Sequence, residues 1–294
     1  MVCAENRRFE TTDMLCSVKM GLRAVGAARG WLFFMPVDAP LFAPETLEKM
    51  KAAALAGGHD AIIPTHRGRS GHPILLARGA AEKILDYEGE GGLGGALKNL
   101  GFDVLRLECG DFGILPDADS PGEYALMRLL HGEGVPDKVV RHEKAVARLA
   151  VKLADELIER GYELDTTLVE LAALVHDCAR TEKDHAARGA ERLREIGRED
   201  IARVVRNHML PEPGELGKIS ETTLVYLADK LVLGDAPATL EERFLARLER
   251  YEDAEARRAI EEKYEIAKKT KQIFEAALRH GIDAAEILNA EEKK

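Results

Sequence analysis

His176 and Asp177 end an apolar helical run, LVELAALVHD, where an ionisable pair is costly to bury. A buried carboxylate needs a cation or a metal to answer it. Further hard nitrogen and oxygen donors stand on separate segments around the doublet: His142 before it, then His185, His208 and Asp229. All of these except His185 lie on apolar stripes. His142 precedes Val146, Leu149 and Leu153 at helical spacing. His176 follows Val169 and Ala172, His208 follows Ile201 and Val204, and Asp229 sits inside LVYLADKLVL. His185 opens a helix after Asp184, where its direction is least determined. A lone histidine on such a stripe is more often a satisfied core residue, and a lone aspartate can be answered by an unseen arginine. Separate bland explanations for the whole set are harder to sustain. Helices that deliver imidazoles and carboxylates to one core build a buried divalent-metal site, suited to Fe, Mn, Zn or Co, singly or as a pair. Such a metal supplies hydroxide near neutral pH.

The elements that must position these residues are helices from about residue 139 onward. HEKAVARLAVKLADELIERG, DTTLVELAALVHDCAR, DHAARGAERLREIG, REDIARVVRNHM and SETTLVYLADKLVL each carry a 3.6-residue apolar period. A charged amphipathic helical tail follows them. Residues 1–133 read differently. WLFFMPVD, DAIIPT, HPILLA and DVLRLE are strand candidates, the middle pair joined by the polar turn HRGRSG. APETLEKMKAAALAG is predicted helical, with Pro44 in its first turn and Gly57 past its end. SPGEYALMRLLH is predicted helical from Ser120. HGEGVPDK reads as a linker. The expected organisation is an α/β domain over 1–133 and an all-α domain over 139–294.

Composition narrows the function classes. With 294 residues, 46% of them hydrophobic and 32% charged, the chain has room for two cores. A formal net charge of -10 argues against general nucleic-acid binding, but not against a small phosphorylated substrate held by a metal and a few arginines. No apolar run reaches about 18 residues, so no membrane helix is expected. No basic-then-apolar leader opens the chain, so no signal peptide is expected. Cys3, Cys16, Cys109 and Cys178 are scattered without a CxxC, which predicts free thiols in a reducing cytoplasm.

The order H…HD…H…H…D resembles the HD-domain metal-dependent phosphohydrolases. LAALVHDCAR is similar to their signature helix, and DHAARGA, VVRNHM and YLADKLV resemble the branch with extra histidines. The resemblance implies that His142, His176, Asp177 and Asp229 bind one metal. It implies that His185 and His208 complete a second site sharing Asp177. Arg180 matches a basic position that would contact a phosphate oxygen, with arginine where lysine is common. The implied activity is hydrolysis of a nucleotide or other phosphate ester or anhydride, with Asp177 and Arg180 at the reacting phosphate. A nucleotide-sensing module that keeps the ligands without turnover is the non-catalytic alternative.

Five ordered segments, FETTDMLCSVKMGLRAV, FFMPVDAPLFAPETL, RGRSGHPILLAR, EGEGGLGGAL and GILPDADSPGEY, resemble the MobA-like nucleotidyltransferases of molybdenum cofactor synthesis. The resemblance implies a partial Rossmann-like sheet ahead of the HD-domain helical bundle. It implies Mg2+ at Asp38 and at Asp117 or Asp119, with Arg69 and His72 in the substrate loop. Asp38 between two prolines can equally shape a turn, Asp117 and Asp119 can be turn and capping residues, and EGEGGLGG can be a plain loop. The Gly-rich loop of the form LAAGxSxRxG that opens this family has no counterpart here. Impaired nucleotidyl transfer is therefore expected, together with an uncovered sheet edge or apolar face and lowered stability, a homodimer or compensation by another chain.

Overall fold

The computed structural model describes residues 4–26, 30–249 and 251–289; Cys3 lies outside them. Cys16, Cys109 and Cys178 are free thiols. The chain forms two compact units, Met1–Asp119 and Ser120–Lys294.

The first unit is a mixed sheet between helices. Its elements are α1 (Met14–Val25), β1 (Leu32–Phe34), α2 (Pro44–Ala56), β2 (Ala61–His66), β3 (Arg69–Ser70), β4 (Ile74–Leu76), α3 (Arg78–Leu85), α4 (Gly92–Asn99) and β5 (Val104–Glu108). The turn between β2 and β4 reverses the chain, so these strands pair antiparallel, with β3 folded back on β2 inside the turn. The crossover through α3 and α4 returns β5 parallel to β2. β1 pairs antiparallel with β4. β2 is buried along its whole length, as a strand covered on both faces must be. Its period of two sorts its side chains: Ala61 and Ile63 pack with Leu15, Val18 and Ile84 on one face, and Ile62 packs with Met50 and Leu75 on the other.

Helix α2 begins at Pro44 and stops at Gly57, as its sequence predicts, but Ala43 offers no side-chain cap. Asp111 supplies one from a distant loop: its Oδ2 accepts from Ala43 N–H at 2.7 Å and from Thr46 Oγ1 at 2.6 Å. The glycine-rich EGEGGLGG differs from the plain-loop alternative. Gly92–Asn99 is helical, and Ala96 and Leu97 supply the buried side.

The second unit contains α5 (Pro121–Leu130), α6 (Asp137–Glu159), α7 (Thr166–Val175), α8 (His185–Glu195), α9 (Glu199–Asn207) and α10 (Glu221–Lys230). The hairpin β6 (Val232–Leu233) and β7 (Ala236–Pro237) follows, then α11 (Leu240–Leu248), α12 (Ala254–Leu278) and α13 (Ala284–Asn289). α5 opens on Pro121 with Ser120 as its cap, and it packs on α7, ahead of the Gly- and Pro-containing stretch 131–138. α6 packs along α7, α8 packs along α9, and α10 is buried from Thr222 through Lys230. The predicted helix over SETTLVYLADKLVL is cut short. α10 ends at Lys230, and Val232 and Leu233 turn into the hairpin at Gly234, whose φ of 63° suits glycine.

Candidate metal centre

Five helices deliver the donors. α6 carries His142 one turn inside its start. α7, capped by Asp165 on Leu168 N–H, runs into the His176-Asp177 turn at its C-terminal end. That end of a helix carries partial negative charge, so a carboxylate there needs cationic company. α8 starts at His185, α9 leads into His208, and buried α10 holds Asp229 in its last turn. Gly189 lets α8 approach the doublet: a Cβ there would meet Cys178 Sγ at 3.1 Å and Val205 Cγ1 at 3.2 Å.

The six residues converge. Imidazole centroids are 5.3 Å apart for His142 and His176, 5.0 Å for His176 and His208, and 5.3 Å for His185 and His208. Asp177 Oδ1 lies 3.2 Å from His185 Nε2 and 3.4 Å from His208 Nε2. Asp229 Oδ1 lies 3.0 Å from His142 Nε2 and 3.8 Å from His176 Nε2. The donors fall into two groups, His142–His176–Asp177 and Asp177–His185–His208, each with its ligand atoms within 4.8 Å of one another. Asp177 is common to both. Asp229 closes on the first group through His142. His185, whose direction the sequence left open, points inward.

Backbone carbonyls set the tautomers. His176 Nδ1 donates to Ala173 O at 2.8 Å, His208 Nδ1 to Val205 O at 2.7 Å, and His142 Nδ1 to Gly234 O at 2.7 Å. A carbonyl only accepts, so each Nδ1 carries the proton and each Nε2 faces the site. His176 Nε2, His208 Nε2 and Asp177 Oδ1 are buried without hydrogen-bond partners. His142 Nε2 faces a carboxylate oxygen, so a proton or a metal must stand between them. Orphaned buried donors of this kind, oriented from behind by carbonyls, fit a divalent cation.

The electrostatics agree with that fit. Burial pulls the His176 pKa down to about 4, against the nearby Asp177 and Asp229, so its imidazole is neutral at pH 7. Burial pushes Asp177 up, but the approach of His185, His208 and His176 outweighs it and holds the carboxyl well below its ordinary range. Burial likewise opposes ionisation of Asp229, and Lys230, Arg243 and His142 overcome it.

Three supporting residues escape motif reading. Glu143 Oε1 accepts the Asp177 N–H at 3.0 Å. Burial, helped by the Asp177 charge, holds the Glu143 carboxyl well above the usual range. Lys230 Nζ bonds Asp229 Oδ2 and donates to His208 O at 3.2 Å, while Arg243 Nη2 donates to Asp229 Oδ1 at 3.0 Å. The available signal was a charge next to a candidate ligand in an apolar run, as in His142-Glu143 and Asp229-Lys230. Arg180 is partly exposed, with Nε 3.6 Å from Asp177 Oδ2 and Nη1 3.2 Å from His185 Nε2.

In the first unit, Asp38 is half-buried in the turn after β1, and Asp117 and Asp119 are exposed beyond β5. Burial lowers the His72 pKa while the charges of Asp38 and Asp117 raise it, so these three residues share one neighbourhood. His72 Nδ1 is buried without a partner, and its backbone N–H donates to Ile114 O at 2.9 Å. Gly71 makes that approach feasible, since a Cβ would meet Ile114 O at 2.1 Å. Arg69 stands apart on the exposed β3, paired in register with His66. Asp119 ends the unit, and no described contact ties it to His72.

Comparison with known proteins follows the same division. Residues 2–104 match the MobA-like NTP transferase domain, and residues 139–252 match the HD domain. An uncharacterized protein of Methanocaldococcus jannaschii is 34% identical over 115 residues, covering 33% of this chain and 68% of the relative. A tRNA (cytidine(56)-2'-O)-methyltransferase of Thermoplasma volcanium is 30% identical over 139 residues, 42% of this chain and 40% of the enzyme. Its counterpart in Picrophilus torridus is 35% identical over 92 residues, 30% of this chain and 26% of the enzyme. The chain thus spans less than half of either methyltransferase. No solved structure matches.

Proposed function

Because this chain belongs to the HD-domain family and carries a MobA-like NTP transferase domain ahead of its HD domain, we propose that the helical unit hydrolyses a phosphate ester or anhydride of a nucleotide or related small molecule. The family is one of metal-dependent hydrolases. The observation that carries the reading is the set of orphaned atoms, His176 Nε2, His208 Nε2 and Asp177 Oδ1, turned toward one another in a buried pocket of imidazoles. His142, His176, Asp177 and Asp229 would hold one divalent ion, and His185 and His208 would complete a second site with Asp177. A bound divalent ion supplies hydroxide near neutral pH and Lewis acidity toward a phosphoryl oxygen.

The protein's own groups have separate duties. The Nδ1–H bonds to Ala173, Val205 and Gly234 hold three rings with Nε2 inward. Glu143 fixes the Asp177 backbone, and Lys230 and Arg243 keep Asp229 ionised in the core. Arg180, at the rim beside Asp177, offers guanidinium hydrogens to a phosphate oxygen. In the reaction a water oxygen bonds to phosphorus, the bond from phosphorus to the leaving oxygen breaks, and that oxygen takes up a proton.

The test is a phosphatase and nucleotide-hydrolysis screen on protein purified without chelator. Metal-dependent release of phosphate or nucleotide that disappears in Asp177→Ala supports hydrolysis. Undiminished turnover after metal stripping sinks it.

A second reading belongs to the first unit. Asp38 and Asp117 around His72 suit Mg2+ and nucleotidyl transfer of the molybdenum cofactor type. Incorporation of a labelled nucleoside monophosphate into a molybdopterin acceptor would distinguish it from hydrolysis.

A further inference from the structure

Helix α11 carries two arginines four residues apart, Arg243 and Arg247, and so presents both from one face. They are held very differently. Arg243 is committed, donating to Asp229 Oδ1 and to the Val232 carbonyl. Arg247 is half-buried, yet among the described residues no carboxylate or carbonyl lies within hydrogen-bonding or ion-pairing distance of it. Its neighbours are other charges of the same centre. Burial lowers its pKa, the Arg243 and Arg180 guanidinium groups press the same way, and Asp229 and Tyr251 oppose them. Arg180 itself stands beside Asp177 and His185.

Two guanidinium groups therefore border the two carboxylates that would hold metal, Arg180 at Asp177 and Arg243 at Asp229, and the third, Arg247, one helical turn beyond Arg243, is not tied to the protein. Gathering cations in a partly desolvated place is unfavourable unless an anion joins them. A guanidinium fork is built for the paired oxygens of phosphate. Arg180 already serves the rim nearest Asp177, which leaves Arg247 to face a different anionic group.

We propose that Arg247, with Arg243 and Arg180 beside it, forms a second phosphate subsite next to the metal centre, selecting ligands with two linked phosphates over those with one. The subsite rests on the hydrolase reading for its role in substrate choice, but binding at it does not require turnover. Arg247 is the specificity-determining member, because Arg243 is occupied in supporting Asp229.

Calorimetric titration of the full chain, loaded with manganese, tests this with inorganic pyrophosphate and inorganic phosphate as probes. Wild-type protein should bind pyrophosphate at least about tenfold more tightly than phosphate, one charge-assisted contact's worth of discrimination. Arg247→Gln should bring the two affinities to within about threefold while manganese content stays unchanged. Arg247→Lys, which keeps the charge and loses the fork, should fall between them and guards against a folding defect in the glutamine variant. An unchanged affinity ratio in Arg247→Gln overturns the subsite. Loss of manganese from that variant also overturns it, since the arginine would then serve the metal centre instead. If the wild-type chain takes up no manganese, the hydrolase reading fails, and the same titrations on metal-free protein still decide the subsite.

Discussion

The two units place carboxylates and histidines in contrasting settings. In the helical unit Asp177 and Asp229 are 5% and 3% exposed, and four imidazoles, a lysine and two arginines surround them. In the first unit Asp117 is exposed, and Asp38 and His72 are only half-buried. Water can answer a surface carboxylate, so such a residue constrains its neighbours weakly. A buried one must be met by specific groups. The helical centre is therefore held together by its own groups, whereas Asp38 and Asp117 in the first unit leave their surroundings less constrained.

This contrast can be broken at several points. The largest effect is expected for Asp177→Ala, the residue common to both ligand groups. Metal content by plasma emission spectroscopy and hydrolysis should both drop to background; retention of either would mean that the groups do not share a ligand. Next is Lys230→Met, which leaves Asp229 buried with one of its cations missing. Metal-free protein should lose roughly 3–5 kcal/mol, seen in calorimetry as a melting temperature roughly 6–20 °C lower. A change under about 1 kcal/mol would show that Arg243 alone suffices. Glu143→Ala, which frees the Asp177 N–H, should weaken metal affinity by about 10–100-fold in a competition titration with a chelating dye.

The pH dependence is gentler. His176 is depressed to about 4 from an ordinary 6.5, so the unfolded chain takes up its proton before the folded one does. Metal-free stability should be full above about 6.5 and decline as pH falls toward 4, with urea midpoints as the readout. A midpoint flat across that window would contradict a neutral buried ring. The smallest effect is expected in the first unit. Asp38→Asn removes a charge that raises the His72 pKa, so that histidine should titrate lower still by NMR, with stability changed by less than about 0.5 kcal/mol.

The contrast also explains how much could be read from the sequence. The candidate ligands of the helical centre stood out because polar residues on apolar stripes are costly, and His142, His176, His208 and Asp229 all obey the helical spacing that exposes them. His185 could not be aimed, because it follows Asp184, whose left-handed φ of 55° sets the start of α8. Arg243 and Arg247 stayed hidden, since a cation on an amphipathic helix normally faces water. After the β6–β7 hairpin, α11 returns to Asp229 through Arg243. The same hairpin accounts for the shortened α10, because LVL continues the apolar period and nothing before Gly234 signals a stop. In the first unit, Pro44 and Gly57 bound α2 correctly, but the cap from Asp111 is a contact of 68 residues' separation that no local pattern carries. β3 was missed because two exposed residues inside a polar turn show no alternation.

The most direct measurement is elemental analysis of the full chain purified without chelator, set beside Asp177→Ala with unchanged helical content by circular dichroism. Divalent metal in the parent and none in the variant is the predicted result. A parent free of metal after incubation with Fe, Mn, Zn or Co would contradict it, because the inward-facing nitrogens and the shared carboxylate would then answer to nothing.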